Sequence, residues 1–414
     1  MRIVAIGDVG VVDDVIHIGD EAMFEALVDA VRSRGVEHVT GVSSQPSETA
    51  LRYGIETVSP IGFPRDKDAR DERMSLVIRT ARGEAGLLDR EDPALAVIEA
   101  LRASDGFVVA GGGNMTSLWP HHVYERATLG AIAREFGKPV VVTGQTIGPE
   151  LDEGDSALVA GLLASARLVG VREGASFDLV TGLGVAAEHT TDDASYLVDE
   201  ATSPGSYCLV SLAGHVGDAD KDDVVRAVAA MLDSIALETG LEVRFLAHFG
   251  SLHAEVIVGD SVMHDRVIAA MASPATVITP TDSVTASRLA RSAAFVVSSR
   301  YHPVVFAVPA GVPVIGIPVD DYTGVKLRGA LGNFGQDGVL PVTDLVDGHG
   351  AALASALWKR RDAIRGHAAR VTSEKRAASS AWWDRVVESL RWSAGTATGP
   401  PLLLSRSCPC PARE

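Results

Sequence analysis

Short apolar runs alternate with longer segments of helical periodicity along most of the chain. Residues 3–6, 36–42, 54–58, 107–110, 139–142 and 168–171 are short and rich in Val, as strands buried on both faces of a parallel sheet must be. Between them, apolar positions from Ala22 to Val31 recur at helical spacing, and 93–101 reads as a further helix. The alternation starts again at Tyr207. Strands are predicted over 207–212, 243–247, 277–278, 295–297 and 312–317, and helices over 222–237, 260–271, 283–290 and 304–308. Repeated strand–helix–strand order makes βαβ units and a doubly wound sheet. Two such stretches predict an α/β protein of two Rossmann-like doubly wound domains facing across a cleft, over 1–200 and 206–345. The small, polar stretch 201–206, with Pro204 and Gly205, is the predicted linker. Residues 346–392 are assigned to C-terminal helices, with a break near Gly366. Residues 393–414, rich in Gly, Pro and Ser, are assigned to a disordered tail.

Ligands of doubly wound sheets bind outside the carboxyl ends of the strands, so the polar residues just after each strand are the candidates for chemistry. After the first strand comes the loop 9–18 and then Asp20 and Glu21, which suit a helix cap and first-turn charges as well as a site. The glycine spacing there is not that of a dinucleotide loop. Gly111, Gly112 and Gly113 permit close backbone approach at a turn and bring Asn114 to a strand end. Gln145 and Arg172 follow later strands, and Asp192, Asp193 and Tyr196 close the first half. In the second half, Ser298 and Ser299 break a strand before Arg300, Tyr301 and His302. Pro303 suits the first position of the next helix and Gly311 its end. An arginine and a histidine at a strand end and a helix N-terminus favour an anionic ligand. A structural ion pair or cap is the alternative for each of them. Lys326 and Arg328 add positive charge near the same ends. The mixed-charge segment 63–90 reads as a solvated loop or helix face. Adjacent His121 and His122 point in different directions on a helix, which argues against a shared metal.

Composition narrows the partners. Lys and Arg total 37 against 54 Asp and Glu, a net charge of −17, which disfavours nucleic acid and anionic membranes but not a small anion held by a local cluster. Three cysteines, two of them Cys408 and Cys410, make no disulfide framework and indicate a reducing compartment. No apolar run approaches the roughly 20 residues of a membrane span, and the start of the chain does not read as a signal peptide. The expectation is a cytoplasmic protein with no membrane span.

The motifs Ile18-Gly19-Asp20-Glu21-Ala22, Gly111-Gly112-Gly113-Asn114, Gly144-Gln145-Thr146-Ile147-Gly148-Pro149, Val171-Arg172-Glu173-Gly174-Ala175-Ser176, Asp192-Asp193-Ala194 and Arg300-Tyr301-His302 stand in an order that resembles the polysaccharide pyruvyl transferases. The family's arginine–leucine–histidine motif has tyrosine as its middle residue here. An arginine that the family often carries after the first strand of its second half is missing from Ser211-Leu212-Ala213-Gly214-His215. The resemblance implies a fold like the two-domain GT-B glycosyltransferases. It also implies transfer of pyruvate from phosphoenolpyruvate to a sugar diol of a polysaccharide or its precursor, as a cyclic ketal, with release of phosphate. Phosphoenolpyruvate carries a carboxylate and a phosphate, for which guanidinium groups and helix N-termini are suited. On this reading the second half is the donor side, where Arg300, Tyr301 and Lys326 hold the donor together with Arg172 from the first half. His302 is the general acid or base. Asp20, Glu21, Asn114 and Gln145 face the sugar or glycan acceptor, and no metal or cofactor is required. A nucleotide-sugar glycosyltransferase on the same fold and a non-catalytic glycan-binding protein are the rival readings.

Overall fold

The computed structural model describes residues 1–198 and 204–391. Its first half is a parallel sheet built from β1 (Arg2–Ile6), β3 (His38–Val42), β4 (Glu56–Val58), β5 (Gly106–Val109), β6 (Gly112–Met115), β7 (Val140–Ile147), β8 (Leu168–Val171) and β9 (Glu188–His189). The order is β4-β3-β1-β5-β7-β8-β9, with β6 paired to β7. The short strand β2 (Val15–His17) leaves this sheet. In the second half, β10 (Tyr207–Ser211), β11 (Glu242–Leu246), β13 (Ala275–Ile278), β14 (Phe295–Ser298) and β15 (Val314–Gly316) form a parallel sheet in the order β13-β11-β10-β14-β15. The remaining strand, β12 (Phe249–Ser251), pairs antiparallel with β2 and so joins the halves in a two-stranded ribbon.

Each sheet reverses its strand order once, between β1 and β5 in the first half and between β10 and β14 in the second. Such switch points open a crevice at the carboxyl ends of the strands, because the helices on either side leave in opposite directions. Both sheets are buried on both faces. Val4, Phe107 and Val142 pack into one apolar cluster, and Ile3, Ala5, Val108 and Val141 into another on the opposite face. A further cluster crosses between the halves, where Ile16, Ile18 and Met23 pack with Tyr301, Val304 and Val305.

Several local expectations are corrected. The loop 9–18 contains β2, and the helix after it starts at Ile18 with His17 as its N-cap. Asp20 is therefore inside the first turn and is not the cap. Residues 111–114 are not a turn alone: Gly112–Met115 is a strand, held by pairing with the carboxyl end of β7 across a register shift. Strand β7 itself runs on to Ile147. The charged segment 63–90, by contrast, is as expected in carrying a helix face: Lys67–Ala81 is a helix whose N-cap Asp66 accepts from the Ala69 N–H at 2.9 Å. Pro303 is the third residue of the helix Tyr301–Ala307, where its missing N–H is still without cost. The C-terminal helix Gly350–Arg391 is unbroken through Gly366. It lays Leu357 and Ile364 on the second half and Trp382, Trp383, Val386 and Leu390 on the first. Half of the predicted linker, 201–203, and the whole predicted tail, 393–414, lie outside the described residues.

Candidate active site

Residues from both switch points meet in a cavity of about 420 Å³ between the halves. Asp8 follows β1, Gly113 and Asn114 come from β6, and Arg172 follows β8. From the other side come Ala213 after β10, His248 after β11, Arg300, Tyr301 and His302 after β14, and Tyr322 and Lys326 after β15. His17, Gly19 and Asp20 enter from the ribbon and the helix that continues it. The sequence could align strand ends within each half, but not across them.

His302 lies in the first turn of Tyr301–Ala307 and is 9% exposed. Its Nε2 has no hydrogen-bond partner among the described residues. Asp192 Oδ2 is 3.9 Å away, but that oxygen already accepts from Arg172 Nη1 at 2.7 Å. Burial, then Arg172 and Lys326, hold the His302 pKa well below that of an ordinary histidine, so the ring is neutral near pH 7. Gly19 lies against this ring, and a Cβ built there would overlap Nδ1. The glycine of the first motif is thus needed for the close approach of a second-half histidine.

Arg172 is 2% exposed. Its Nε donates to Thr146 Oγ1 at 2.8 Å, its guanidinium lies 4.4 Å from the Tyr301 ring centroid, and Glu173 is 3.7 Å away. Burial opposes its charge, but Tyr301, Asp192 and Glu173 more than offset this and hold its pKa above the usual arginine value. Arg300 is fixed differently. Its Nε is 3.0 Å from both oxygens of the fully buried Asp260, and Nη2 is 2.5 Å from Oδ1. Asp260 also accepts from the N–H groups of His248 and Phe249 at 3.2 and 3.0 Å. A bidentate pair of this kind fixes the plane of the guanidinium, and the Arg300 side chain, 32% exposed, lines the cavity.

Lys326 stands with Nζ 3.8 Å from the Tyr322 ring centroid and 5.6 Å from that of Tyr301. Burial, with Arg172 next, pushes its pKa down to about 7. Asp20 is pushed up to about 7, by burial first and by Asp8 second. An acid and an amine with nearly matched pKa values in one cavity can exchange protons at little cost. His248, 4% exposed, has its Nδ1 3.0 Å from Ser211 Oγ, and its buried Nε2 has no partner among the described residues. Burial and the neighbouring His302 push its pKa down to about 3.

The cavity thus brings together Asp20, Asn114, Arg172, Arg300, Tyr301, His302 and Lys326. Two expected acceptor residues do not reach it. Glu21 is 2% exposed and turned away, accepting from the Gly10 N–H at 2.9 Å and from the Tyr53 hydroxyl. Gln145 is fully buried behind β6, where its amide donates to the Ala110 carbonyl. Both follow from geometry: Glu21 is one residue round the helix from Asp20, and Gln145 lies within the lengthened β7, paired to Gly112 of β6, instead of beyond the strand's end. Asp8, His17, Tyr322 and His248 line the cavity and Asp260 fixes Arg300, with nothing in their spacing to tie them to Arg300 or His302. Asp192, visible at the end of the first half, holds Arg172. Among the described residues no group of three or more His, Cys, Asp or Glu side chains could hold a metal ion. No helix among them is long and apolar enough to cross a membrane.

Two Rossmann-like domains with a site between their strand ends define the GT-B type of architecture. Solved structures with this form align along most of the chain. The UDP-GlcNAc 2-epimerase of Methanocaldococcus jannaschii is 10% identical, with a TM-score of 0.55 over 86% of this chain and 92% of its own. The putative UDP-N-acetylglucosamine 2-epimerase of Listeria monocytogenes is 12% identical, with a TM-score of 0.53 over 89% and 90%. CalG4, the calicheamicin glycosyltransferase, is 14% identical, with a TM-score of 0.53 over 95% and 99%. At these identities the likeness is one of fold. No curated protein matches the sequence. The family does emerge from the sequence: residues 17–321 match the polysaccharide pyruvyl transferases, and the chain belongs to that family. It is a transferase, and the family implies a sugar or polysaccharide acceptor.

Proposed function

We propose that the protein moves the pyruvyl group of phosphoenolpyruvate onto two hydroxyls of a sugar, forming a cyclic ketal and releasing phosphate. The observation that carries this reading is His302, a neutral, buried imidazole with an unpartnered Nε2 between Arg172 and Lys326. Arg300, Lys326 and the helix N-terminus at Tyr301 suit the carboxylate and phosphate of the donor. Asp20 and Asn114, on the first-half wall, suit the hydroxyls of the acceptor.

The reaction needs one proton on the donor methylene, which becomes a methyl group and leaves C2 as an oxocarbenium centre. One hydroxyl then adds to C2, the C2–O bond to phosphate breaks, and the second hydroxyl closes the ketal. Two hydroxyl protons are lost, one replacing the proton taken by the methylene and one leaving with phosphate. His302, neutral at pH 7, suits the base that takes a hydroxyl proton. Asp20, part protonated near pH 7, suits the acid for the methylene.

Phosphoenolpyruvate is expected to raise the melting temperature, and UDP-glucose and GDP-mannose are not. His302→Ala should cut phosphate release from phosphoenolpyruvate plus acceptor by about 10²–10⁴-fold, leaving phosphoenolpyruvate affinity within a few-fold. Stabilisation by the nucleotide sugars alone would overturn the reading in favour of a glycosyltransferase.

A further inference from the structure

A second pocket, of about 240 Å³, opens at the carboxyl ends of β1, β3 and β4. Asp8 and His122 line both this pocket and the main cavity, so the two adjoin. Its distinctive feature is Arg126, on the helix Pro120–Glu135. The side chain is 2% exposed, yet it makes no ion pair within 4.0 Å among the described residues. Its Nη1 is 3.3 Å from the His122 carbonyl and 3.3 Å from His122 Nδ1, and its buried Nε has no hydrogen-bond partner among the described residues. A buried, unpaired guanidinium is costly, and elsewhere in proteins such a charge is paired or neutralised.

The carboxylates in this pocket are otherwise engaged. Glu125 accepts the Ile61 and Gly62 N–H groups at 2.7 and 3.0 Å. Asp8 accepts from the Asn114 amide and lies 3.6 Å from His122 Nδ1, on the side of the main cavity. Further positive charge lies close by. Arg70 is 7% exposed, and its guanidinium sits 5.0 Å from the Tyr124 ring centroid. Burial depresses the pKa of His121, which lines the pocket; Asp8 opposes the shift, and Arg126, Arg70 and Arg65 add to it. Burial lowers the Arg126 pKa and Asp8, Glu125 and Asp20 only partly offset this, so carboxylates lie near the guanidinium but none is bonded to it.

We propose that this pocket is a second acceptor subsite, in which Arg126 reads a carboxylate or phosphate group carried by the glycan beside the sugar that reacts. The subsite rests on reading the main cavity as the place where the acceptor diol meets the donor. The acceptor is then an anionic glycan or a phosphate-linked precursor, not a neutral sugar chain. Arg126 supplies the charge, and Gly7, Asp8, Ser43 and Ser44 line the pocket around it.

Calorimetry with three ligands tests this: methyl β-D-glucopyranoside, methyl β-D-glucopyranosiduronic acid and glucose 1-phosphate, each titrated into the full chain saturated with phosphoenolpyruvate and into the chain alone. At least one anionic ligand should bind about tenfold tighter than the neutral glucoside. Tighter binding of the uronate identifies a carboxylate, and tighter binding of glucose 1-phosphate identifies a phosphate ester. Arg126→Gln should bring the charged-to-neutral ratio close to one without changing phosphoenolpyruvate affinity, and Arg126→Lys should keep part of it. Equal affinity of the wild type for all three ligands overturns the proposal, and that comparison decides even if Arg126→Gln does not fold. A preference that survives Arg126→Gln, or a parallel loss of phosphoenolpyruvate binding, overturns it too. If the anion preference holds but no acceptor releases phosphate from phosphoenolpyruvate, the pyruvyl-transfer reading fails and the subsite stands.

Discussion

Asp20 occupies a first helical turn, where the helix dipole favours its charge, and still has its pKa pushed up from 3.8 to about 7. Burial and Asp8 outweigh the dipole and Lys326. A carboxyl group raised in this way lowers the stability of the folded protein. Below about pH 4 folded and unfolded states both hold the proton and the deficit is absent. It grows as the pH rises above the unfolded value and is complete above about pH 7. Asp20→Asn abolishes this deficit. The variant is expected to be more stable than its parent at pH 8 by roughly 1–2 kcal/mol, the full linkage value being discounted because solvent reaches the side chain, and the difference should vanish near pH 4. Urea midpoints at pH 4, 6 and 8 measure it, and a parent that is the more stable at pH 8 contradicts it. Activity should fall in the same variant, since the strain belongs to the site.

What could be read at this scale was position along a strand, not partnership. Arg172, Arg300 and His302 are visible in the sequence because each follows a Val-rich run. Glu21 had the same claim as Asp20, and only the angular step between neighbours on a helix separates them. The contact of Gly19 with the His302 ring joins residues nearly 300 positions apart, and no local pattern encodes it.

Among the elements, the helix Gly350–Arg391 does the most to fix the relation of the halves. Trp382 is 2% exposed, donates from Nε1 to Thr143 Oγ1 at 3.0 Å, and lies where a Cβ on Gly170 would stand 2.7 Å from its ring. Strand β8 can therefore only accept it with glycine at that position. Trp382→Ala should destabilise the protein by about 3–5 kcal/mol, from the lost burial and the cavity left behind. Chemical unfolding followed by circular dichroism would measure this; a loss below about 1 kcal/mol would mean that the helix end is not a structural tie. The buried parallel strands were legible because apolar residues on both faces leave an uninterrupted run. β2 and β12 were not, since three residues with a histidine or a glycine among them become strands only when paired across the halves. Gly112–Met115 has little strand propensity and is held by β7. Gly366 suggested a break, but a glycine inside a helix costs only about 1 kcal/mol relative to alanine, small beside the packing at both ends of so long an element.

For the whole molecule, the question is whether the two domains separate during turnover. Domains joined by a small polar interface are expected to move, and those joined by a large apolar one are not. Here Ile16, Ile18 and Met23 are buried against Tyr301, Val304 and Val305. The Tyr322 hydroxyl donates to the Gly113 carbonyl at 2.8 Å, and the Asn333 amide to the Arg172 carbonyl at 2.9 Å. The β2–β12 ribbon braces one region of the interface and the C-terminal helix another. These contacts argue that the site is preassembled and that ligands enter through its open side, with no parting of the halves. The ribbon offers a direct test. Val15 and Ser251 are opposite each other, and the hydrogen bonds Ile18 N–H to His248 O and Leu252 N–H to Asp14 O place them at a non-hydrogen-bonded pair, where side chains approach most closely. In the double variant Val15→Cys, Ser251→Cys, oxidation should form a disulfide across the halves. The rate of phosphate release should stay within about twofold of that of the reduced protein, since a preassembled site spends no conformational step on assembly. A large fall on oxidation that dithiothreitol reverses would show that the halves must part at the ribbon, and that the cavity between them is one state of a cycle.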